Sequence, residues 1–334
     1  MAVDPLVSVV VPVYNGAKHI LATLASVAAQ SHRAFEVLVV DDASTDNTVA
    51  LLANSPVPLT LLRQANAGVS SARNAGLAAA QGEFVCFLDQ DDHWYPHHLQ
   101  TQLQALAQSP EAGVAVSPYQ HWYPHEGRYA DPAERLPPRP ARPVDSERSG
   151  WVYHHFLLDC WALTSATTIR RSVLQQHGAF DPQRPFSEDW ALWLRLSRHV
   201  PFVAPAWPPV LYRQHAEQGS RVPRAVDYRS DLLLGHARQF GLASRDGRAV
   251  PEAVFQRQVA RYQMEFGRHH LQHGQRGRGV AALAAAWWRQ PMAWRYLAMA
   301  AAGTLGWRPV DEALLDAQTV LNQPAATPGP GAAA

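Results

Sequence analysis

The sequence predicts an α/β fold, with a mostly parallel sheet flanked by helices and a helical extension behind it. Short apolar runs of strand length alternate with segments of helical periodicity through the N-terminal part of the chain. This alternation calls for crossover connections and a parallel sheet. Each apolar run ends in a turn or an acidic cluster, and beyond about residue 225 only helical patterns continue.

The composition is typical of a globular protein. Of its 334 residues 47% are hydrophobic, enough for a full core, and the formal charge of +1 gives no general electrostatic case for nucleic-acid binding. Cys86 and Cys160 cannot form a disulfide framework, and their apolar surroundings predict core residues in a reducing compartment. The N-terminus lacks a secretory-signal pattern, and no stretch reaches the roughly 18 apolar residues of a transmembrane helix. We therefore expect a cytoplasmic protein, with a peripheral position at the inner face of the membrane as the alternative.

Four strands are predicted in the N-terminal part, at residues 6–14, 35–40, 59–62 and 84–88. The segments between them have helical character, at residues 17–30, 48–52 and 71–80. The run at 84–88 contains two aromatic residues and one β-branched residue. Such a continuous apolar run is typical of a strand buried on both faces, as in a parallel sheet.

The pattern is less regular between residues 96 and 211. Helices are predicted at 96–107, 151–158 and 169–177 and from Glu188 onwards, with a strand at 114–116. Six prolines among polar residues in Pro124–Pro143 predict an irregular, mobile surface segment. Residues 200–211, with four prolines, predict an extended return towards the sheet.

The last third of the chain is predicted to be helical. Phe255, Val259, Tyr262 and Phe266 form one apolar stripe, and a helix of small residues ends at Trp288. A cap packed on the main domain is the preferred interpretation, and docking on a partner or a membrane surface is the alternative.

Three carboxylates follow the strand at 84–88: Asp89, Asp91 and Asp92. Open α/β sheets place their ligands at the carboxyl ends of strands. Oxygen ligands suit Mg²⁺ or Mn²⁺ better than zinc. Taken alone, this motif is better interpreted as a solvated acidic turn, and the metal hypothesis depends on the rest of the chain.

Polar residues also follow the first two strands. Pro12, Tyr14 and Asn15 end the first, where a tyrosine can stack on a nucleotide base. Asp41 and Asp42 end the second and can accept hydrogen bonds from a base N–H or a ribose hydroxyl. A simple helix cap explains the residues after them but does not require this pair.

A small-residue segment, 66–76, follows the third strand and contains Arg73. Small residues let the backbone approach a ligand, and an arginine near a helix start can pair with carboxylate or phosphate. The spacing excludes a P-loop and a dinucleotide fingerprint.

In this order the motifs resemble those of family 2 glycosyltransferases, which have the GT-A fold, a Rossmann-like single domain. The resemblance is carried by residues 12–15 (PVYN), 41–46 (DDASTD), 68–74 (GVSSARN) and 88–92 (LDQDD), and continues through 164–166 (TSA), 170–173 (RRSV), 178–181 (GAFD), 187–190 (SEDW) and 212–215 (YRQH). It covers roughly residues 6–220. It implies a domain at 1–225 with a nucleotide-binding half at 1–100 and an acceptor-side half at 101–225. The helical patterns predict a helical extension at 226–322, and the Pro- and Ala-rich composition predicts a disordered tail at 323–334.

The resemblance implies that a sugar moves from a nucleotide-diphosphate donor, expected to be a UDP-sugar, to an acceptor hydroxyl with inversion. Glycan or polysaccharide biosynthesis is the expected context. The residues implied to bind the nucleotide sugar are Pro12, Tyr14, Asn15, Asp41, Asp42, Arg73 and Asp89. The residues implied to bind Mn²⁺ or Mg²⁺ are Asp89, Asp91 and His215.

The resemblance also implies that Asp189 is the catalytic base, with Glu188 beside it. An inverting transfer needs a base within hydrogen-bond reach of the attacking hydroxyl. A carboxylate near Trp190 and Trp193 can be partly desolvated and so more basic. The purely structural alternative is an aspartate that offsets a helix dipole.

Two other functions stay open. One is a nucleotide-sugar-binding protein without turnover, against which the presence of both acidic motifs argues. The other is a metal-dependent nucleotidyltransferase or nucleotide-sugar hydrolase, which needs no acceptor base after residue 180. The expected partners are a nucleotide sugar and a glycan or lipid-linked acceptor, with no nucleic acid, and the sequence names neither the sugar nor the acceptor.

Overall fold

The computed structural model describes residues 4–218, 224–306 and 309. The chain divides into two compact units, one of Met1–Val222 with Asp231–Glu252 and the other of Pro223–Ser230 with Ala253–Ala334. The predicted boundary at residue 225 thus falls near the first unit's edge, but residues 231–252 return to that unit. The predicted tail at 323–334 lies outside the described residues.

A sheet of seven strands forms the centre of the first unit, in the order β3-β2-β1-β4-β8-β6-β9. Its strands are β1 (Val7–Val13), β2 (Phe35–Asp41), β3 (Thr60–Arg63), β4 (Phe84–Phe87), β6 (Val114–Val116), β8 (Thr167–Arg170) and β9 (Phe202–Val203). β1 pairs in parallel with β2 and β4, β2 with β3, and β6 with β9, whereas β8 runs antiparallel to its neighbours. The predicted α/β class with a mostly parallel sheet is confirmed.

A second sheet has three strands in the order β5-β10-β7. They are β5 (His93–Trp94), β7 (Tyr119–Trp122) and β10 (Val210–Arg213). β10 runs antiparallel to β5 and parallel to β7. This sheet was not predicted, because strands of two to four residues are too short to show a periodic pattern.

Helices flank the main sheet. The first unit contains α1 (Ile20–Ala28), α2 (Thr48–Leu52), α3 (Val69–Ala79), α4 (His98–Gln108), α5 (Pro132–Arg135), α6 (Tyr153–Phe156), α7 (Arg171–His177) and α8 (Glu188–Leu196), and α9 (Tyr228–Phe240) spans the division between the units. Helix α3 lies so close to the sheet that any side chain at position 76 would clash with Val10, and Gly76 permits this approach.

Burial explains the early strands. Every residue of β1 and of β4 is buried, as expected for strands covered on both faces. On one face of the sheet, alternate valines of β1 and β2 join Ile20 and Leu24 of α1 in one continuous core. The carboxyl ends of β1, β2 and β4 consequently meet at one edge of a rigid sheet.

Two helix predictions need correction. The predicted helix at 169–177 begins only at Arg171, because Ile169 lies in β8 and pairs with both Val85 and Val114. The β-branched residues of β8 favour this extended conformation. The predicted helix at 151–158 is a single turn, α6.

The second unit, described by itself, contains α10 (Glu252–Gln272), α11 (Arg276–Arg289) and α12 (Trp294–Thr304). Ala260, Ala286 and Tyr296 form one apolar cluster and Leu271, Leu283 and Ala300 another. Gly267 and Gly279 allow α10 and α11 to approach closely. Among the described residues, no helix is both long and apolar enough to cross a membrane.

Candidate active site

The polar groups that follow β1, β2 and β4 lie together at one edge of the main sheet. Asn15 joins the first two groups, since its Oδ1 accepts hydrogen bonds from the backbone N–H groups of Thr45 at 2.8 Å and Asp46 at 3.3 Å. Its backbone lies in the left-handed region at φ 50°, which asparagine tolerates better than most residues. Pro12 is buried inside β1, and the Tyr14 side chain is 48% exposed at the edge of the site.

Asp41 and Asp42 are both buried and bonded within the protein. Asp41 accepts a hydrogen bond from the Ser44 backbone and pairs with Arg63 at 3.3 Å. The Asp42 carboxylate accepts bonds from backbone N–H groups at the start of α3, including Gly68 at 2.9 Å. These carboxylates therefore shape two loops of the site, and their contact with a nucleotide stays a prediction.

Arg73 connects two motifs that lie far apart in the sequence. Its guanidinium donates to Asp89 at 2.7 Å and to Glu188 at 2.9 Å, and its side chain is only 4% exposed. It also lies over the Phe180 ring. Burial alone would lower the pKa of Arg73, but the carboxylates of Asp89 and Glu188 outweigh burial and raise it. The arginine stays charged and holds the two acidic motifs side by side.

Asp91 bonds to two residues at the end of the second sheet. His215 Nε2 lies 2.7 Å from Asp91 Oδ2, and Arg213 donates to the Asp91 carbonyl at 2.7 Å. Between the two acids, the Gln90 side chain bonds to the backbone of Tyr14 through both its oxygen and its nitrogen. These two bonds connect Tyr14, which was predicted to bind the nucleotide, to the loop that carries Asp89 and Asp91.

Asp92 has a structural role. It is completely buried and accepts hydrogen bonds from Ser165 Oγ at 2.5 Å and from the Arg213 backbone at 3.1 Å. Burial raises its pKa well above the usual value, helped by Asp91 and Asp89. Asp92 therefore fixes the turn and the end of β10 and leaves the other two acids exposed to a ligand.

Asp189 lies in the first turn of α8, after Ser187 in the left-handed region. It is partly buried and accepts a bond from the backbone N–H of Trp190 at 2.7 Å. Its pKa is raised to about 7, because burial disfavours the charge and Glu188 repels it, although Arg73 opposes this. A carboxyl that titrates near neutral pH is suited to general base catalysis.

His19 is a residue of this site that the sequence did not indicate. Its ring lies 5.1 Å from that of His215. Its pKa is lowered to about 4 by burial, with smaller contributions from Arg213 and His215. Nothing in the sequence distinguishes this histidine from the other fifteen. Ser165 and Arg213, by contrast, belong to motifs that the resemblance included.

The acids can accommodate a divalent ion. Within the residues that the structure describes, no group of three or more His, Cys, Asp or Glu side chains is arranged to hold a metal by itself. However, Mg²⁺ is usually bound by one or two carboxylates together with substrate phosphates. Asp89 and Asp91 have side chains 29% and 16% exposed. They fit such a shared site, with His215 at its border.

The chain is similar to known glycosyltransferases. The family model "Glycosyl transferase family 2" matches residues 8–161. An uncharacterized glycosyltransferase of Nostoc sp. is 33% identical over 193 residues, covering 56% of each chain. The amylovoran biosynthesis glycosyltransferase AmsB of Erwinia amylovora is 29% identical over 227 residues, covering 64% of this chain and 71% of that protein. A putative teichuronic acid biosynthesis glycosyltransferase, TuaG of Bacillus subtilis, is 41% identical over 107 residues, covering 30% of this chain and 42% of that protein.

Solved structures show the same fold. S. aureus TarS 1-349 in complex with UDP-GlcNAc superposes with a TM-score of 0.59 at 19% identity, covering 85% of this chain and 81% of that one. The complex of TarS 1-349 with UDP gives a TM-score of 0.56 at 20% identity, with the same shares covered. At this identity the likeness supports the GT-A fold alone.

The first curated relatives that match extend beyond the alignment, since the chain spans between about a third and three fifths of their lengths. Over the matched part, the family model, the named relatives and the sheet topology agree. Residues 8–161 of the chain match the model of glycosyltransferase family 2.

Proposed function

We propose that the chain is an inverting glycosyltransferase that moves a sugar from a UDP-sugar to an acceptor hydroxyl in polysaccharide biosynthesis. One observation carries this proposal: Arg73 pairs with both Asp89 and Glu188. The acids expected at the donor diphosphate therefore lie beside Asp189, the expected base. Transfer of the sugar to an acceptor hydroxyl needs both a donor site and a base.

In the proposed reaction Asp189 removes the proton from the acceptor hydroxyl. The acceptor oxygen forms a bond to the anomeric carbon from the face opposite the diphosphate, and the bond from that carbon to the diphosphate oxygen breaks. The nucleoside diphosphate leaves with the electron pair. The raised pKa of Asp189, about 7, supports this role, because a base works best when its pKa lies near the working pH.

Donor binding is assigned to the edge of the main sheet. Tyr14 would stack on the base, and Asn15, Asp41 and Asp42 would line the nucleoside side with Pro12 shaping the exit of β1. The known complexes of TarS with UDP-GlcNAc and UDP support a uridine nucleotide. The names of the Erwinia and Bacillus relatives support a polysaccharide product.

Asp89, Asp91 and His215 would hold Mn²⁺ or Mg²⁺ together with the donor. When bound, such an ion offsets the charge of the departing diphosphate. Arg73, through Asp89, would fix the position of one of these ligands.

A thermal-shift screen tests the proposal. UDP-, GDP- and dTDP-sugars are added to the protein with Mn²⁺ or with EDTA, since a ligand at 100 times its Kd stabilises the folded state by about 2.7 kcal/mol. A UDP-sugar is expected to raise the Tm in Mn²⁺, with a smaller shift in EDTA or in Asp91→Asn. Asp246→Asn, an exposed turn residue, serves as the matched control and should keep the full shift. Absence of a shift with every nucleotide sugar would refute the function.

For location, we infer a cytoplasmic enzyme that touches the inner face of a membrane through its second unit. Trp288, Met292, Trp294 and Leu305 are large apolar residues that are 74–93% exposed there. Aromatic and apolar side chains of this kind favour the membrane interface. Binding to phosphatidylglycerol vesicles should weaken in Trp288→Ala/Trp294→Ala and persist in Phe240→Ala. Equal binding of all three proteins would remove this inference.

A further inference from the structure

The second sheet presents a row of aromatic side chains that the donor site does not use. Along β7, Tyr119 and His121 point to one face, and Gln120 and Trp122 to the other, as alternation in a strand requires. Tyr212 of β10 lies opposite His121 in the register and so shares its face. Tyr123 follows β7 directly. We call Tyr119, His121, Tyr123 and Tyr212 the aromatic strip.

The four rings form a continuous group. The Tyr212 centroid lies 5.4 Å from that of His121 and 6.0 Å from that of Tyr119. The Tyr123 ring is stacked at 24° to His121, with centroids 5.8 Å apart. Exposure increases along the strip, from half-buried Tyr119 and Tyr212 to Tyr123, which is 56% exposed. The strip therefore offers ring surface to an external ligand.

The buried face of the same sheet is already occupied. Trp122 packs with Tyr95 and Leu211, and Arg213 lies over the Trp122 ring at 4.1 Å. Arg213 in turn holds the Asp91 carbonyl. Because Tyr212 precedes Arg213 in the chain, the strip begins one residue from a contact of the donor site and points the other way.

The inner end of the strip lies within electrostatic range of the proposed base. The pKa of the Tyr119 phenol is raised, mainly by burial and also by nearby carboxylates, among them Asp159 and Asp189. Leu163, the residue before the turn Thr164–Ala166, packs in the same core cluster as Tyr119. A molecule that presents a hydroxyl to Asp189 can therefore extend from there along the strip.

From this placement we propose that the aromatic strip is the acceptor subsite, and that it binds a sugar ring of a glycan acceptor by stacking. A sugar ring has an apolar face of C–H groups and a rim of hydroxyls. Tyrosine and histidine match it with an apolar body and a polar tip. The inference rests on the proposed function, since it is the base that makes this side of the site the acceptor side.

Saturation-transfer NMR tests the proposal on the full chain with its UDP-sugar. The probes are maltotriose, cellotriose, chitotriose, mannotriose and galactotriose. At least one should receive saturation, strongest on the C–H protons of one ring face. Tyr123→Ala and Tyr212→Ala should weaken its affinity about tenfold, the loss expected for a central aromatic anchor. Tyr212→Phe, which keeps the ring, should bind nearly as the wild type does.

Trp288→Ala is the matched control, because it removes an exposed aromatic ring from the second unit. It should leave the saturation transfer unchanged. The Tm shift caused by the UDP-sugar is measured for every variant and should be the same, which excludes a folding defect. If that shift is absent from the wild type, the proposed function fails. If it is present and no probe receives saturation, or if the alanine variants bind the probe equally well, the acceptor subsite is refuted and the strip is assigned to a protein partner.

Discussion

Replacing Asp189 by asparagine should make the protein more stable at alkaline pH while it removes the base. The Asp189 carboxyl has a pKa of about 7 in the folded protein, against an ordinary value of 3.8. Well below pH 3.8 it is protonated in both the folded and the unfolded chain and contributes nothing. As the pH rises from 4 to 7 the unfolded chain loses this proton first, so the free energy of unfolding falls, and above pH 7 the full penalty is present.

The size of the penalty follows from the difference between the two pKa values. Each pKa unit corresponds to 1.36 kcal/mol, so the ionised carboxylate lowers the stability at pH 8 by at most about 4 kcal/mol. At pH 5 the same linkage gives about 1.7 kcal/mol. Asparagine stays neutral and keeps an oxygen to accept the bond from the Trp190 backbone. The advantage of Asp189→Asn over the wild type should therefore grow by about 2–3 kcal/mol between pH 5 and pH 8.

Urea unfolding at both pH values measures this difference. Asp246→Asn is the control. Burial raises the pKa of Asp246, but its side-chain and backbone hydrogen bonds with Arg248 together outweigh burial and lower that pKa. That variant should gain no stability at pH 8. If Asp189→Asn is no more stable than the wild type at pH 8, or if the gap does not widen from pH 5, the carboxyl is not held in a desolvated, repulsive environment.

Three further changes test contacts that shape the site. Arg73→Met leaves the Glu188 carboxylate without its cation and should lower the free energy of unfolding in urea by about 3–5 kcal/mol. A decrease of less than about 1 kcal/mol would contradict a buried ion pair between these two residues. Asn15→Ala removes a hydrogen-bond acceptor at positive φ and should cost about 1–2 kcal/mol, whereas unchanged stability would mean that the loop is held by other bonds. Gly76→Ala places a methyl group against Val10 and should cost about 1–3 kcal/mol, with an unaltered Tm as the contrary result.

The sequence predicted the first four strands and their polar ends because each signal is local. A buried parallel strand is a continuous apolar run, and the acids of the 88–92 motif follow such a run directly. The base candidate was also local, since Asp189 begins an amphipathic helix in a motif of the family. Predicting these features requires no knowledge of tertiary contacts.

The contacts that form the site could not be predicted from the sequence, because they join segments that are far apart in the chain. Arg73 was expected to bind a nucleotide. The structure shows that it pairs with Asp89 and with Glu188, and that Glu188 lies 115 residues from Arg73 in the sequence. His19 lies beside His215 only because α1 packs beneath the acidic loop, where Thr23 bonds to the backbone of Gln90. The second sheet, with strands of two to four residues, leaves no periodic trace.

The most direct test of the account is calorimetric titration of the UDP-sugar in Mn²⁺ into the wild type and Asp189→Asn. It is combined with a measurement of UDP release in the presence of the oligosaccharide that binds the aromatic strip, added as acceptor. The account predicts equal donor affinity for both proteins and a release rate at least about a hundredfold lower in the variant, the contribution expected of a general base. Unchanged UDP release by Asp189→Asn, with the donor bound equally well, would contradict it.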